Sequence, residues 1–149
     1  MSGRGSGGGP RHVLERLKEK LESNDKEGLA DLFATDCVVE WPFTPSGVPI
    51  RLEGPEAMRE FIRRSPAAAR LRYERVDNVV YDTADPEVLV VQTEVAGTDI
   101  QTDTPFRLRG IAVMRTRHGE IVFYRDYVDP LALARATGTL AQLAGGTSN

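Results

Sequence analysis

The sequence has few of the residues that disulfide-stabilised and cofactor-dependent proteins use. Its 149 residues include one cysteine, Cys37, which excludes an internal disulfide, and two histidines, too few for a Cys/His zinc site. It also lacks a phosphate loop of the G-x-x-x-x-G-K type and a G-x-S-x-G nucleophile elbow. We therefore expect a protein without a metal or another cofactor, whose chemistry would depend on carboxylates, tyrosines and an apolar pocket.

Long apolar runs and a strong excess of one charge are missing as well. No stretch approaches the ~18–20 apolar residues of a membrane-spanning helix, and the N-terminal residues contain no apolar signal-peptide core. With 19 basic and 22 acidic side chains, the net charge of −3 favours neither nucleic acid nor an anionic membrane as a partner. The sequence predicts a cytoplasmic protein that binds neither.

The composition is typical of one compact domain. Hydrophobic residues make up 40% of the chain and charged residues 28%, and the length is close to the commonest single-domain size. Residues 1–10, rich in Gly and Ser, predict a flexible leader. We expect the domain to span residues 11–138 and residues 139–149 to form a flexible tail.

The periodicity of the apolar residues changes along the chain from helical to strand-like. Helical spacing follows Pro10, and Asn24 with Glu27 resembles a capping box that opens a second helix, whose apolar residues include Phe33. A third helix is predicted after Gly54-Pro55, and Asp129 caps a last one. Runs rich in Val, Ile, Tyr and Thr predict a short strand and four long antiparallel strands at 38–43, 71–82, 87–96, 104–117 and 120–128. This order indicates an α+β fold.

The strand predicted at 104–117 has one apolar and one basic face. Phe106 and Leu108 alternate with Arg107 and Arg109, so the first pair faces the core and the second faces outward. A row of arginines can form a nucleic-acid platform. Because the chain is net acidic and no exposed aromatic set accompanies the arginines, we expect them instead to pair with acids of neighbouring strands.

The last predicted strand is partly apolar on both faces, so periodicity alone leaves its orientation open. If Tyr124 and Val128 face the core, Asp126 faces it too. A carboxylate among apolar groups either finds a partner, here Arg109 or Arg125, or has a raised pKa. A raised pKa suits a general acid or base at neutral pH.

Two segments of the chain resemble a known family. The pair Trp41-Pro42 and the ending Gly119-Glu-Ile-Val-Phe-Tyr-Arg-Asp-Tyr-Val-Asp-Pro130 resemble the SnoaL-like branch of the NTF2-like superfamily, over about residues 11–138. This branch includes polyketide cyclases, limonene-epoxide hydrolase and phenazine A/B proteins, with ketosteroid isomerase as a more distant member. The resemblance implies a cone, in which a curved antiparallel sheet wraps around helices and an apolar pocket. It also implies that Asp126 matches the family's pocket acid and faces inward.

The sequence departs from the best-defined active sites of that branch. Glu94-Val95-Ala96 stands where the epoxide hydrolases have an Arg-x-Asp pair, and Val38 and Glu40 stand where they have Tyr-x-Asn. Residues 55–70 lack the histidine of the phenazine type. Epoxide hydrolysis by that machinery is therefore not expected. What is left is a catalytic set of acids: Asp126, Glu94 and Glu40.

The expected substrate-binding side chains are apolar or aromatic: Trp41, Tyr73, Phe106, Leu108, Tyr124 and Val128. Structural roles are the alternatives, since Glu94 and Glu40 could form ion pairs and Trp41 could be a core anchor. Two acids in one apolar cavity would have separated pKa values, which allows proton transfer between carbons or ring closure through an enolate.

We expect a cofactor-free cyclase or isomerase of secondary metabolism that acts on an apolar, carbonyl-bearing, polyketide-like small molecule. The alternative is a non-catalytic module for small-molecule binding or dimerisation. A homodimer is expected because the outer face of the sheet carries an apolar set: Ile111, Val113, Ile121 and Phe123.

Overall fold

The computed structural model describes residues 9–139, which form a curved six-stranded sheet with helices packed against it. The predicted leader and tail lie almost entirely outside these residues. The helices are α1 (Pro10–Glu22), a 3₁₀ helix (Glu27–Leu32), α2 (Pro55–Arg64), α3 (Pro66–Arg70) and α4 (Pro130–Ala136). The strands are β1 (Phe33–Trp41), β2 (Ile50–Glu53), β3 (Leu71–Asp82), β4 (Val88–Asp99), β5 (Thr104–Arg117) and β6 (Glu120–Val128). Within residues 9–139, none of the helices combines the length and apolar character needed to cross a membrane.

The sheet has the order β2-β1-β6-β5-β4-β3. Strands β3 to β6 form the predicted antiparallel meander, with the exposed His118 and the buried Gly119 at positive φ in the hairpin turn between β5 and β6. The prediction of a wholly antiparallel sheet is wrong in one place, because β1 pairs with β6 in parallel. Helices α2 and α3 carry the chain from β2 at one edge to β3 at the other, and the meander then returns to lie beside β1.

The inner face of β5 is apolar and its outer face is basic, as predicted. Phe106 and Leu108 are buried, and farther along β5 the fully buried Met114 belongs to a core that α1 completes. On the outer face, Arg107 Nε lies 2.8 Å from Glu94 and Arg115 Nη1 lies 3.0 Å from Glu87. The prediction that the arginines pair with acids of neighbouring strands is confirmed.

The predicted second α-helix is wrong. Asn24 adopts a positive φ of 61°, and its side-chain amide pairs with the backbone of Tyr73 through two hydrogen bonds of 2.9 Å. Its side chain therefore binds a strand residue 49 positions away in the chain and does not cap a helix. The chain forms one short 3₁₀ helix, and Phe33 begins β1. Asn tolerates this left-handed backbone conformation better than most residues do, which explains why it occupies the turn.

A bulge in β6 changes the direction of Ile121. In the pairing of β5 with β6, Arg115 lies opposite Phe123 but Thr116 lies opposite Ile121, so Val122 is an extra residue. Tyr124 and Asp126 keep the inward direction that the resemblance implied. Ile121 also points inward and is fully buried, so its predicted place on the outer face is wrong.

Two short elements, β2 and α3, were not predicted. β2 has four residues, of which Arg51 and Glu53 are exposed, and it pairs only with β1 at the edge of the sheet. α3 has five residues and is capped by Ser65, whose side chain accepts a hydrogen bond from the Ala68 backbone N–H. Segments this short carry too few apolar positions to show a period.

The structure also places Cys37 and confirms the helix cap predicted at Asp129. Cys37 is fully buried in the core between sheet and helices, and burial raises the pKa of its thiol. Asp129 caps α4, because its side chain accepts hydrogen bonds from the backbone N–H groups of Leu131 and Ala132.

Candidate active site

An apolar cavity of about 320 Å³ lies between the inner face of the sheet and the helices. Most of its wall consists of Leu, Ile, Val, Phe and Met side chains from the first helices, α2 and the strands. Few polar residues line it, and those that matter below are Asp126, Tyr124, Tyr73, Trp41 and Lys26. A largely apolar pocket with a few convergent polar groups is the usual form of a small-molecule site.

Asp126 is the carboxylic acid of this cavity. It lies on β6 opposite Ala112 of β5, and Trp41 Nε1 donates a hydrogen bond to its Oδ2 at 3.2 Å. The Trp41 ring is held by stacking on Phe61 of α2, with 5.1 Å between the ring centroids. Burial raises the pKa of Asp126 to about 6, although the hydrogen bond from Trp41 acts in the opposite direction. Near neutral pH the group can therefore act as a base and, once protonated, as an acid.

Neither arginine considered as a structural partner of Asp126 forms an ion pair with it. Arg125 Nε donates to Glu40 Oε1 at 2.8 Å, and Arg109 Nε lies 3.7 Å from Glu94 Oε1. Among residues 9–139, no basic group lies within 4.0 Å of the Asp126 carboxyl. The structural interpretation of Asp126 as an ion-pair partner is therefore wrong for this part of the chain.

Two tyrosines accompany Asp126 in the cavity. Burial raises the pKa of Tyr73 to about 12 and that of Tyr124 well above its usual range, and the negative charge of Asp126 is a second, smaller cause for both. The same charge acts on both phenols, so both are neighbours of the carboxyl group. At physiological pH both hydroxyls stay protonated and can donate hydrogen bonds to a ligand.

Tyr73 is positioned by contacts on several sides. Asn24 binds its backbone N–H and C=O, and Lys26 Nζ lies 4.7 Å from the centroid of its ring. Phe106 lies behind it, with 6.0 Å between the ring centroids. The prediction that Phe106 lines the pocket is wrong, because its ring packs behind Tyr73 in a second core cluster and does not reach the cavity wall.

Leu108 and Val128 lie in the cavity wall where β5 and β6 approach closely. Gly110 makes this approach feasible, since a Cβ at this position would lie 2.8 Å from the Tyr127 carbonyl oxygen and 2.9 Å from the Val128 Cα. The sequence therefore places a residue without a side chain beside the segment that carries Asp126.

Comparisons with known proteins identify the family of the chain. The model of the SnoaL-like domain matches residues 14–124. The chain belongs to the SnoaL-like domain family. Two curated relatives are each 32% identical: the uncharacterized protein YesE of Bacillus subtilis, over 85% of both chains, and the uncharacterized PhzA/B-like protein PA3332 of Pseudomonas aeruginosa, over 86% of this chain and 89% of that one. The crystal structure of a candidate isomerase from Bacillus subtilis has a TM-score of 0.78 at 28% identity, over 93% of this chain and 97% of that one. The NTF2-like α+β cone implied by the sequence is confirmed.

In this SnoaL-like domain the three predicted acids do not share the cavity. Glu40 and Glu94 lie on the outer face of the sheet, because the inward residues of their strands are Val39 on β1 and Thr93 and Val95 on β4. Glu40 pairs with Arg125 at 2.8 Å and with Arg51 at 3.4 Å. Glu94 pairs with Arg107 at 2.8 Å and with Arg109 at 3.7 Å. Their predicted place in the pocket is wrong, and the alternative of structural ion pairs is correct.

Two polar residues of the site were missed. Asn24 and Lys26 lie in the turn before the 3₁₀ helix, where polar residues are usually solvated. Their side chains contact Tyr73 and the carbonyl groups of Ala68 and Leu71, all more than 40 residues away in the chain. No local pattern in the sequence reports such contacts. Within residues 9–139, no group of His, Cys, Asp and Glu is arranged to hold a metal ion.

Proposed function

We propose that this protein is a cofactor-free enzyme that transfers a proton on an apolar, carbonyl-bearing small molecule. The observation that carries the proposal is Asp126, buried in an apolar cavity with a pKa raised to about 6 and with two protonated phenols beside it. The likeness to a candidate isomerase supports the same class of reaction. The substrate class that fits the cavity and the family is a polyketide-like molecule of secondary metabolism.

The proposed reaction uses Asp126 as a single base. Its carboxylate takes a proton from the carbon next to the substrate carbonyl, and the electron pair of the C–H bond moves to form an enolate. The Tyr124 or Tyr73 hydroxyl stabilises the enolate oxygen by donating a hydrogen bond to it. Where the substrate also has a C=C bond conjugated with this enolate, the protonated Asp126 then returns the proton to the γ carbon, which moves the double bond and gives an isomer. Alternatively, the enolate carbon attacks a second carbonyl of the same molecule, Asp126 protonates the new alkoxide, and a ring is closed.

The presence of one acid distinguishes this proposal from epoxide hydrolysis. Among the described residues that line the cavity, Asp126 is the one carboxylic acid. Hydrolysis by paired carboxylates needs one acid for the epoxide oxygen and a second for water. A proton that leaves one carbon and returns to the same molecule needs only one group that alternates between base and acid.

The proposal is tested by deuterium exchange into 2-tetralone, an apolar bicyclic ketone with acidic C1 protons. We expect the protein in D₂O to accelerate loss of the C1 proton signal in NMR spectra above the buffer rate. The base is active when ionised, so the rate should rise with pH through about 6 and then level off. Binding is followed by quenching of Trp41, the single tryptophan of the chain, which hydrogen-bonds Asp126. Binding without exchange would favour the non-catalytic module.

We also propose that the protein is a homodimer that associates through the outer face of the sheet. Val79, Tyr81 and Ile111 are each about half exposed there, at 50%, 52% and 46%. The strand register joins them, because Gln92 lies between Val79 and Ile111, and Val90 lies beside Tyr81. The ion pairs of Glu94 with its arginines lie next along the strands. An apolar centre bordered by charged residues is the usual anatomy of an interface.

Light scattering after size-exclusion chromatography tests this dimer. We expect twice the chain mass of 16.4 kDa at micromolar concentration. Ile111→Glu places a charge in the centre of the apolar patch and should give the monomer mass. Val48→Glu changes an equally apolar residue that is 65% exposed in the loop before β2, and should leave the dimer intact. A monomeric wild-type protein would contradict the proposal.

A further inference from the structure

Lys26 is a cationic side chain in the wall of the cavity. Its Nζ donates to the Ala68 carbonyl at 2.9 Å and to the Leu71 carbonyl, and lies 4.7 Å from the ring centroid of Tyr73. The ammonium group has three N–H donors, of which two are used by these carbonyls. One donor and the positive charge are therefore not taken up by these two carbonyl groups.

No acid in the part of the chain that the structure describes neutralises this charge. Within residues 9–139, no carboxylate lies within 4.0 Å of Lys26 Nζ, whereas the nearby surface residue Lys20 pairs with Asp25 at 3.1 Å. Burial lowers the pKa of Lys26. A nearby carboxylate would raise this pKa, so the direction of the shift agrees with the absence of an ion pair. A half-buried ammonium group without an anion is costly for a protein, and a bound anion would remove that cost.

Lys26 and Asp126 both lie near Tyr73 but do not pair with each other. Lys26 lies over the Tyr73 ring, while the charge of Asp126 acts on the Tyr73 hydroxyl. The two charged groups themselves form no ion pair. A ligand with an anionic group at Lys26 keeps that group apart from the Asp126 carboxylate, which would repel it.

We propose that the ligand of this protein carries a carboxylate, which Lys26 binds while the carbonyl lies at Asp126. The substrate class is thus an apolar keto acid and not a neutral ketone. Only the carbonyl part rests on the proposed function, because the carboxylate subsite requires binding alone.

The test compares two ligands of the same shape, 1-naphthaleneacetic acid and its primary amide, by isothermal titration calorimetry at pH 7.5. A hydrogen bond to a charged group predicts that wild-type protein binds the acid about tenfold more tightly than the amide. In Lys26→Met the two affinities should become equal within about a factor of two, with little change for the amide. Lys20→Met is the matched control, since it removes one positive charge from the surface, and it should keep the preference.

Further variants separate a binding role from a structural one. Lys26→Gln retains a hydrogen-bond donor for the Ala68 and Leu71 carbonyls but not the charge. It should also lose the preference, and it replaces Lys26→Met in the test if that variant fails to fold. Asp126→Asn should lose 2-tetralone exchange but keep the preference for the acid over the amide. The two proposals can therefore fail independently of each other. Equal wild-type affinities, no binding of the acid, or a preference that survives the loss of the Lys26 charge would overturn the inference.

Discussion

Replacing Asp126 by Asn is expected to slow deuterium exchange into 2-tetralone by about 10²- to 10⁴-fold, the usual effect of a positioned acid or base. Asn has nearly the same size, and its amide oxygen can still accept the hydrogen bond from Trp41 Nε1. It cannot take up a proton from carbon. The exchange rates of the two proteins, measured by NMR at pH 7.5 with equal ligand occupancy, give this factor directly.

Asp129→Ala is the matched control for this variant. Asp129 lies three residues later, but its side chain caps α4 through the backbone N–H groups of Leu131 at 3.0 Å and Ala132 at 3.3 Å. Its loss should lower the free energy of unfolding by about 0.5–2 kcal/mol and change the exchange rate little. If Asp126→Asn unfolded the protein while Asp129→Ala only slowed exchange, Asp126 would be a structural residue.

The meander of the sheet could be predicted because its strands are long runs rich in β-branched and aromatic residues, separated by turn residues. On β5, small and apolar residues alternate with arginines, so their directions follow from the sequence. The orientation of β6 could not be read in this way, and only the resemblance assigned Asp126 to the cavity. The bulge at Val122 could not be predicted from alternation either. One extra residue reverses the direction of Ile121 relative to Tyr124, so Ile121 points inward and not outward.

The positions of Glu40 and Glu94 could not be predicted because their strands are apolar on both faces. Val38 and Val39 are equally hydrophobic, and Leu89, Val90 and Val91 are consecutive apolar residues, so alternation does not identify the inner face. The arginines that pair with Glu40 and Glu94 on the outer face lie on other strands, and a local sequence pattern does not reveal such pairs.

The difference in stability between the Asp126→Asn variant and the wild-type protein should change with pH, and this change tests the burial of the Asp126 carboxyl group. Between pH 3.8 and about 6 the folded protein retains a proton that the unfolded chain has released, so ionisation of Asp126 destabilises the fold as pH rises. The difference of roughly two pKa units corresponds to about 3 kcal/mol at pH 7.5 and to none at pH 3.5. Asn carries no such penalty. Urea denaturation should therefore show the variant gaining stability relative to wild type as pH rises through this window.

Asp99 provides a control of opposite sign. Its hydrogen bonds with the Arg70 guanidinium hold its pKa at about 2, so its charged form stabilises the fold above pH 3.8, and that contribution is lost as pH falls towards 2. Asp99→Asn should thus lose stability relative to wild type at pH 7.5, and the loss should become smaller in acid. The Asn side chain of either variant can form new contacts, but their contribution to stability does not change with pH. Only the pH-dependent part of each stability difference therefore reports the charge of the aspartate. An Asp126→Asn effect of the same size at pH 3.5 and pH 7.5 would mean that the carboxylate is solvated, and a solvated carboxylate would be too weak a base for the proposed proton transfer.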